Sequence, residues 1–206
     1  MSAPKKIPQP MRPSGFAGRI FGHLMEWLSS PNYHWVIEQL RPIKPQSYLE
    51  IGFGTGRLAQ LAAERFLPAR LYGVDPSPLM LRTALKKLGR YDGKTALHLR
   101  LGDDALMREW PEGPFDAIVA AHSWQFWSNP VATLLRIRSL LSPEGRFVMI
   151  VRSHISDDVA KWIPNPITMG GNELDGLREA LKAAGFAILR DEKLSTGSQG
   201  IVAACA

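Results

Sequence analysis

The stretch Tyr48-Leu-Glu-Ile-Gly-Phe-Gly-Thr-Gly56 decides the fold of this chain. A short apolar run ends in a turn with three glycines, and Glu50 stands two residues before the first of them. Residues 57–65 then have helical character. Glycines allow a tight turn and the close approach of a ligand, and the start of a helix directs unpaired N–H groups toward that ligand. This layout predicts a strand, a ligand-binding turn and a helix.

The spacing of the glycines does not fit two common nucleotide sites. A dinucleotide fingerprint reads G-x-G-x-x-G and needs a glycine where this chain has Arg57. A P-loop needs a Gly-Lys-Ser/Thr sequence, and none follows the turn. A carboxylate at Glu50 suits a cationic or hydrogen-bond-donating ligand better than one whose main feature is a pyrophosphate. The turn therefore indicates another kind of ligand.

Two further acidic positions follow predicted strands. Leu71-Tyr-Gly-Val-Asp75 predicts a second strand, and Asp75 lies near the ~20-residue spacing of an acid that holds ribose hydroxyls. The alternative is that Asp75 caps a helix beginning near Pro78. Residues 96–101 alternate in polarity like a half-exposed strand and precede Asp103 and Asp104. An acid here is placed to accept from an adenine amino group, or else it caps the following segment or lies in a solvated loop.

Taken in order, these motifs resemble the class I S-adenosylmethionine-dependent methyltransferases, in particular the small bacterial branch related to quinone-biosynthesis methyltransferases. The resemblance runs from Ser47 to about Arg152. The matching segments are Glu50-Ile-Gly-Phe-Gly-Thr-Gly56, Gly73-Val-Asp-Pro-Ser-Pro78, Gly102-Asp-Asp104, Phe115-Asp-Ala-Ile-Val119 and Leu140-Leu-Ser-Pro-Glu-Gly-Arg-Phe-Val148.

The resemblance implies S-adenosylmethionine as the cofactor and a role for each matching residue. The glycines would bend around its methionine part, with Glu50 near the amino group and Asp75 on the ribose. Asp103, or Asp104 beside it, would meet the adenine, because this chain has two acids where the family often has Asp-Ala. The residues after the fourth strand would border the sulfonium. The implied cofactor residues are Glu50, Gly52, Phe53, Gly54, Gly56, Asp75, Pro76, Met80, Asp103, Asp104, Ala121 and His122.

The order of elements predicts an α/β fold. We expect a Rossmann-like, seven-stranded, mostly parallel sheet with helices on both faces and an antiparallel strand in a C-terminal hairpin, as in the family. Residues 1–14 are predicted to be a mobile arm, and residues 15–206 a single methyltransferase domain. Within that domain, 15–45 would form an N-terminal helical lid, with helices near 16–28 and 32–40, and 46–206 the core. The expected closing strands are 186–192 and 200–205.

Composition fits one compact globular domain without a metal site. The chain has 206 residues, 45% hydrophobic and 21% charged. It contains no apolar run of the ~20 residues that span a membrane and no secretory signal, so a cytoplasmic location is expected. Its single cysteine, Cys205, rules out an internal disulfide framework and a cysteine-based metal site. No acidic cluster with metal-ligand spacing appears either.

The basic character of the chain leaves its partners open. The net charge is +6 and the pI about 9.7, which suits nucleic acid, anionic lipid or an acidic substrate. The charges are scattered, and no run of basic residues interleaved with aromatic ones indicates an RNA groove, so an ordinary solvated surface is favoured over nucleic acid. A small-molecule substrate is expected, and the sequence leaves a homo-oligomer open.

Three segments are expected to roof the crevice at the carboxyl ends of the strands. They are the N-terminal helical pair, the loop after the fourth strand and residues 153–171. Their aromatic side chains would form a water-excluding substrate pocket, or else they only pack beneath a lid. The candidate pocket residues are His23, Trp27, Tyr33, Trp35, Trp124, Phe126, Trp127 and Trp162.

His122 is the first candidate for a general base, because it follows the strand nearest the expected methyl group. Alternatively, it only shapes the pocket or bonds a backbone carbonyl. His23, His34 and Tyr33 are weaker candidates.

The predicted function is methyl transfer to a small or medium-sized organic molecule by in-line attack on the sulfonium, with proximity and exclusion of water supplying most of the catalysis. The sequence does not choose between an oxygen, nitrogen or carbon acceptor. The alternatives are an RNA or protein methyltransferase that uses its basic arm at Lys5-Lys6, and a non-catalytic cofactor-binding partner protein. A dehydrogenase is disfavoured by Arg57.

Overall fold

The computed structural model describes residues 29–108, 110, 112–152 and 171–206. The predicted arm and first lid helix lie outside the described residues, as do His23, Trp27 and Trp162. The predicted second lid helix is present as α1, residues 29–40 of the described chain. The division into a mobile arm, a lid and a core stays a prediction.

Within the described residues, seven strands and five further α-helices follow α1. In chain order they are β1 (Ser47–Ile51), α2 (Arg57–Phe66), β2 (Arg70–Asp75), α3 (Pro78–Leu88), β3 (Ala96–Leu101), α4 (Asp104–Arg108), β4 (Phe115–Ala121), α5 (Pro130–Leu140), β5 (Leu141–Arg152), α6 (Gly171–Ala183), β6 (Phe186–Lys193) and β7 (Ser198–Cys205).

The strands form one sheet in the order β3-β2-β1-β4-β5-β7-β6. Strands β1 to β5 pair in parallel, and β7 runs antiparallel to both β5 and β6. The predicted seven-stranded, mostly parallel sheet with its antiparallel strand is confirmed. The strand order reverses between β1 and β4, and in open α/β sheets the ligand crevice lies at the carboxyl ends of strands flanking such a point.

The central strands of the sheet are buried on both faces, whereas the edge strands β3 and β6 are partly exposed. Strand β1 has no exposed residue, and its side chains alternate between two apolar clusters. Leu49 and Ile51 join the cluster that contains buried residues of α5 and α6, whereas Tyr48 joins the one that contains α1 and α2. Helices on both faces are thus confirmed, and α1 is part of the core packing rather than a loose cover.

Strand β5 pairs with β4 in two stretches. Its first residue, Leu141, follows α5 directly and pairs with Phe115. The pairing then shifts, and it resumes where Ala117 meets Arg146. The residues between include Pro143, which has no N–H to donate to a strand ladder. The interruption therefore coincides with a residue that cannot donate to the ladder.

The last helix, α6, ends near a glycine with a left-handed backbone. Gly185 follows α6 with φ of +82°, and its N–H donates to the carbonyl of Lys182 at 2.9 Å. Glycine is favoured in this left-handed position because it lacks a Cβ. The two closing strands begin and end within two residues of their predicted limits.

Candidate cofactor and substrate site

The three glycines of the turn have left-handed backbones but different surroundings. Their φ values are +81° at Gly52, +52° at Gly54 and +76° at Gly56. A Cβ at Gly52 would lie 2.7 Å from Cβ of Ser123, and one at Gly56 would lie 2.8 Å from Cβ of Ala84. A Cβ at Gly54 would meet no protein atom within 4 Å. Two glycines therefore allow neighbouring segments to pack closely, and Gly54 is the one that faces open space.

Asp75 fastens this turn to the end of β2. Its Oδ2 accepts from the N–H of Gly54 at 2.8 Å, and its Oδ1 accepts from the N–H of Ser77 at 2.9 Å. The N-cap of α3 is Ser77, whose Oγ accepts from the N–H of Met80, so Asp75 is not the helix cap. Burial raises the pKa of Asp75 to about 6 despite these two bonds. Each carboxylate oxygen has a second lone-pair site for another donor.

Glu50 lies at the end of β1 and is 2% exposed. Its Oε2 accepts from the hydroxyl of Tyr48 at 2.9 Å, since side chains two residues apart share a face of a strand. Burial is the main reason that the pKa of Glu50 rises to about 8; the charge of Asp75 adds to the rise, and bonds from Tyr48 and the Ala59 N–H oppose it. A cation beside this carboxyl group would favour its ionised form.

The two acids after β3 have different environments. Asp104 is buried and accepts from the N–H groups of Ser128 and Asn129 and from the hydroxyls of Ser128 and Thr133, at 2.9 to 3.2 Å. Burial raises its pKa, but the bonds from the two N–H groups and two hydroxyls outweigh that effect and lower it. Asp103 is exposed and accepts from the N–H of Ala105. The structure thus gives Asp104 a clamping role toward the start of α5 and leaves Asp103 at the surface.

The remaining predicted cofactor residues lie beside the turn. Phe53 and Met80 are buried together with Ala84, and the Phe53 ring lies against Gly73, where a Cβ would be 2.7 Å from Phe53 Cδ1. Pro76 is half-buried between Asp75 and Ser77. Phe53 and Met80 therefore form a small apolar cluster with Ala84 that packs beside the glycine turn.

His122 follows β4 in a left-handed conformation, with φ of +56°. Its N–H donates to the carbonyl of Ile150 at 2.8 Å, and its Nε2 lies 3.2 Å from Nδ2 of Asn32. The amide nitrogen of Asn32 is a donor, so Nε2 accepts and Nδ1 carries the proton. Nδ1 is buried and has no hydrogen-bond partner within the described part of the chain. Burial, and then the charge of Arg152, lower the pKa of His122 to about 3.

This geometry fits a neutral hydrogen-bond donor better than a general base. A base near neutral pH needs a pKa near that value and a free lone pair. The lone pair of His122 is on Nε2, which Asn32 engages. Its neighbour Ala121 is half-buried and pairs with Ile150 of β5.

Asn32 and Arg152 are two site residues that the sequence analysis missed. Asn32 is 2% exposed, donates also to Ser198 Oγ at 3.2 Å and accepts from the hydroxyl of Thr196. It thereby joins α1 to the β6–β7 hairpin and to the end of β4. Arg152 ends β5, is half-buried and interacts electrostatically with His122 and Tyr33. Asn32 looked like an ordinary helix start, and Arg152 lay at the edge of the matching region.

The predicted aromatic pocket residues divide into packing residues and partly exposed ones. Trp127 is 8% exposed within the core, and its ring centroid lies 5.2 Å from that of Trp124. Trp35 packs on Gly200 and donates from Nε1 to Glu192 Oε1 at 2.7 Å. Trp124, Phe126 and Tyr33 are half-buried. Trp35 and Trp127 therefore act as packing residues, which was the alternative to a role in a substrate pocket. His34, a weaker candidate for the general base, is exposed on α1.

Two general features concern the described residues alone. None of their helices combines the length and apolar character that crossing a membrane requires. They contain no group of three or more His, Cys, Asp or Glu side chains arranged to hold a metal ion.

Residues 49–147 match the family model described as a methyltransferase domain. The chain is 33% identical over 107 residues to a demethylmenaquinone methyltransferase from Thermus thermophilus, an alignment that covers 52% of this chain and 47% of that relative. The chain thus spans about half of that relative's length.

Two solved structures share the fold. An S-adenosylmethionine-dependent methyltransferase from Aquifex aeolicus superposes with a TM-score of 0.69 at 19% identity, over 86% of this chain and 92% of that one. Magnesium protoporphyrin IX methyltransferase from Synechocystis, solved with bound S-adenosylhomocysteine, gives 0.66 at 19% identity, over 94% and 89% of the two chains. The resemblance and the fold predicted from the sequence are confirmed.

Proposed function

We propose that this chain carries a class I S-adenosylmethionine-dependent methyltransferase domain and methylates a small or medium-sized organic molecule. The observation that carries the proposal is the placement of Glu50 and Asp75. Both are buried acids at the carboxyl ends of adjacent strands, on either side of a glycine turn whose Gly54 faces open space. Carboxylates so placed suit a ligand with an ammonium group and a ribose.

Each end of the cofactor has a matching group in this site. The free lone pairs of Asp75 accept from the ribose hydroxyls, while its existing bonds to Gly54 and Ser77 keep the carboxylate fixed. Glu50 receives the ammonium group, and Asp103 accepts from the adenine amino group. Phe53 and Met80 hold the turn in place. When bound, the cofactor supplies a methyl group on a cationic sulfur.

The residues of the chain contribute orientation and exclusion of water rather than a reactive side chain. His122 and Ser123 adjoin the glycine turn, since Ser123 Oγ donates to the carbonyl of Ile51 at 2.7 Å and its Cβ lies over Gly52. Helix α1 covers the same end of the sheet through Asn32. A reactant held between these segments is oriented and desolvated, which accounts for a large share of catalysis in such displacements.

Calorimetric titration with S-adenosylmethionine and S-adenosylhomocysteine tests the proposal. We expect micromolar binding to the wild type and a loss of roughly 30-fold or more in Asp75→Ala, because two charge-assisted hydrogen bonds are removed. Asp92→Ala is the matched control, since Asp92 is exposed and its carboxylate accepts from the N–H of the adjacent Gly93, away from the glycine turn. A thermal melt of each variant establishes that it is folded.

Release of S-adenosylhomocysteine from a pool of aromatic and amphipathic small molecules then reports turnover. No cofactor binding to the folded wild type would overturn the proposal. Tight binding with no turnover on any pool would instead favour a non-catalytic cofactor-binding protein.

A further inference from the structure

His122 and Arg152 lie at the carboxyl ends of the paired strands β4 and β5, and Tyr33 of α1 packs on the same side of the sheet, away from Asp75. We call His122, Arg152 and Tyr33 the donor cluster. His122 follows β4 and bonds to the backbone of β5 at Ile150, two residues before Arg152. Tyr33 belongs to α1, packs against the apolar cluster that contains Ile150 and interacts electrostatically with Arg152. The cluster therefore combines a ring N–H, a guanidinium and a phenol.

The ring N–H of His122 is the observation that points to a ligand. Its Nδ1 is buried and lacks a hydrogen-bond partner among the residues that the structure describes, whereas the large majority of buried polar side-chain atoms have one. Asn32 occupies the opposite nitrogen and itself bonds Ser198, so the ring is held in one tautomer and one orientation. A donor that is fixed and buried without an acceptor suits a site whose acceptor arrives with the substrate.

The charge beside this donor selects the kind of acceptor. Burial, and then the charge of Arg152, lower the pKa of His122, so the ring stays neutral at physiological pH, and its proton is on Nδ1 because Asn32 engages Nε2. Arg152 is half-buried at the end of β5; burial lowers its pKa, and Tyr33 opposes that shift. A positive charge and a fixed donor together favour an anionic oxygen over a neutral carbonyl.

We propose that the substrate carries an oxyanion, either a carboxylate or an aryloxide, that accepts from Nδ1–H of His122 and pairs with the guanidinium of Arg152. This inference rests on the proposed methyltransferase function and names the class of its substrate. The oxyanion anchors the molecule, and the methyl group goes to another of its atoms, because lone pairs engaged by two donors are poor nucleophiles. Asn32 is a positioning residue, since it holds the proton on Nδ1.

Binding of small anions to the protein loaded with S-adenosylhomocysteine tests the inference. The probes are benzoate and 4-nitrophenolate, and their neutral counterparts are benzamide and 4-nitroanisole. We expect the wild type to prefer at least one anion over its counterpart by about tenfold, and Arg152→Gln to abolish that preference. The matched control is Arg146→Gln, a half-buried arginine in the earlier part of the same strand, at the opposite edge of the sheet, which should bind as the wild type does.

Nitrogen-15 spectra of the histidine rings give a readout that a merely structural role would not move. We expect His122 to be the Nδ1–H tautomer, and its Nδ1 proton to shift downfield when the preferred anion binds. Asn32→Ala should populate the other tautomer of His122 and lower the affinity for the anion. Its affinity for S-adenosylhomocysteine should stay within about twofold of the wild-type value. The anion that binds identifies the oxyanion as carboxylate or aryloxide.

Two results would overturn the inference: equal binding of both anions and their neutral counterparts, or equal losses in Arg152→Gln and Arg146→Gln. Affinity for S-adenosylhomocysteine is measured first, without any anion. Normal cofactor affinity with no preference for anions would therefore reject the oxyanion site alone, whereas absent cofactor binding would reject the proposed function.

Discussion

The two halves of the crevice have opposite polarity. At the ends of β1, β2 and β3 lie three carboxyl groups, those of Glu50, Asp75 and Asp103, which we call the acidic end. At the ends of β4 and β5 lies the donor cluster. Burial raises the pKa of Glu50 and Asp75 in the first region and lowers the pKa of His122 and Arg152 in the second. In both regions burial disfavours the charged form of the side chains. A bound ligand of opposite charge would favour the charged form, and this attraction would stabilise the complex.

This difference gives each ligand its own place. A cationic cofactor is attracted to the acidic end and repelled by Arg152, and an oxyanion has the reverse preference. Selectivity then comes from repulsion at the wrong position as much as from attraction at the right one. A substitution that removes the charge of one region should therefore weaken the binding of one ligand and leave the affinity for the other unchanged.

The largest effect is expected for Glu50→Gln. The glutamine keeps the size of the side chain and its acceptor for Tyr48 but has no charge for the ammonium group of the cofactor, so affinity should fall about 100-fold. Calorimetry at pH 8.5, near or above the pKa of about 8, gives the comparison. Binding of the anion probe at the donor cluster should change little. A similar cofactor affinity in both proteins would show that the charge of Glu50 does not contribute to cofactor binding.

The same substitution should stabilise the protein at alkaline pH. A carboxyl group whose folded pKa lies above its unfolded value contributes stability that is lost as pH rises from about 4.5 to about 8. Wild type should lose roughly 2–4 kcal/mol over this window relative to Glu50→Gln, as measured by urea unfolding at pH 5.5 and 8.5. Asp75 is present in both proteins, so its own shift cancels. Parallel pH dependences would contradict this reasoning.

A methyl group at Gly54 should weaken the cofactor without unfolding the protein. The new Cβ would point into open space toward the proposed ligand, and we expect Gly54→Ala to bind S-adenosylhomocysteine about tenfold more weakly. Gly93→Ala is a close control, because Gly93 also has a left-handed backbone and open space around a Cβ but lies after α3. Both should lose ~1–2 kcal/mol of stability from the backbone alone. Equal cofactor affinities would place the ligand elsewhere.

Substitutions at the adjacent acids Asp103 and Asp104 should have different effects, the first on cofactor affinity and the second on protein stability. Asp103→Asn should lower cofactor affinity about fivefold and leave the melting temperature unchanged, since it removes the charge of one exposed acceptor. Asp104→Asn should lower stability by ~1–3 kcal/mol, because four donors lose a full carboxylate partner. Thermal melts and calorimetry on both variants make the comparison. The opposite assignment of effects would exchange the roles of the two residues.

The sequence predicted the acidic end well because its signals are local. The glycine turn, Glu50 and Asp75 each follow a strand whose apolar pattern is clear, and the parallel topology brings strand ends together. The local sequence could not decide which of Asp103 and Asp104 is buried and which is exposed. The answer depends on Ser128 and Thr133, which are more than twenty residues away and donate to Asp104.

The donor cluster was harder to predict for the same reason. The tautomer of His122 is set by Asn32, ninety residues earlier in the chain, and no spacing rule connects them. The aromatic residues of the loop after β4 were predicted as one group, but composition could not separate the core residue Trp127 from the partly exposed Phe126. His122 was recognised as a candidate by its place after a strand, whereas its chemistry follows from distant contacts.

The bond between Asn32 and Ser198 also has a consequence for the order of folding. The two side chains are 166 residues apart in the chain, although their atoms lie 3.2 Å apart. The Gly54 N–H and the Asp75 carboxylate that accepts from it are only 21 residues apart. Contacts of long separation form late because a long loop must close first. We therefore expect the bond that fastens the glycine turn to form before the bond that joins Asn32 to the β6–β7 hairpin.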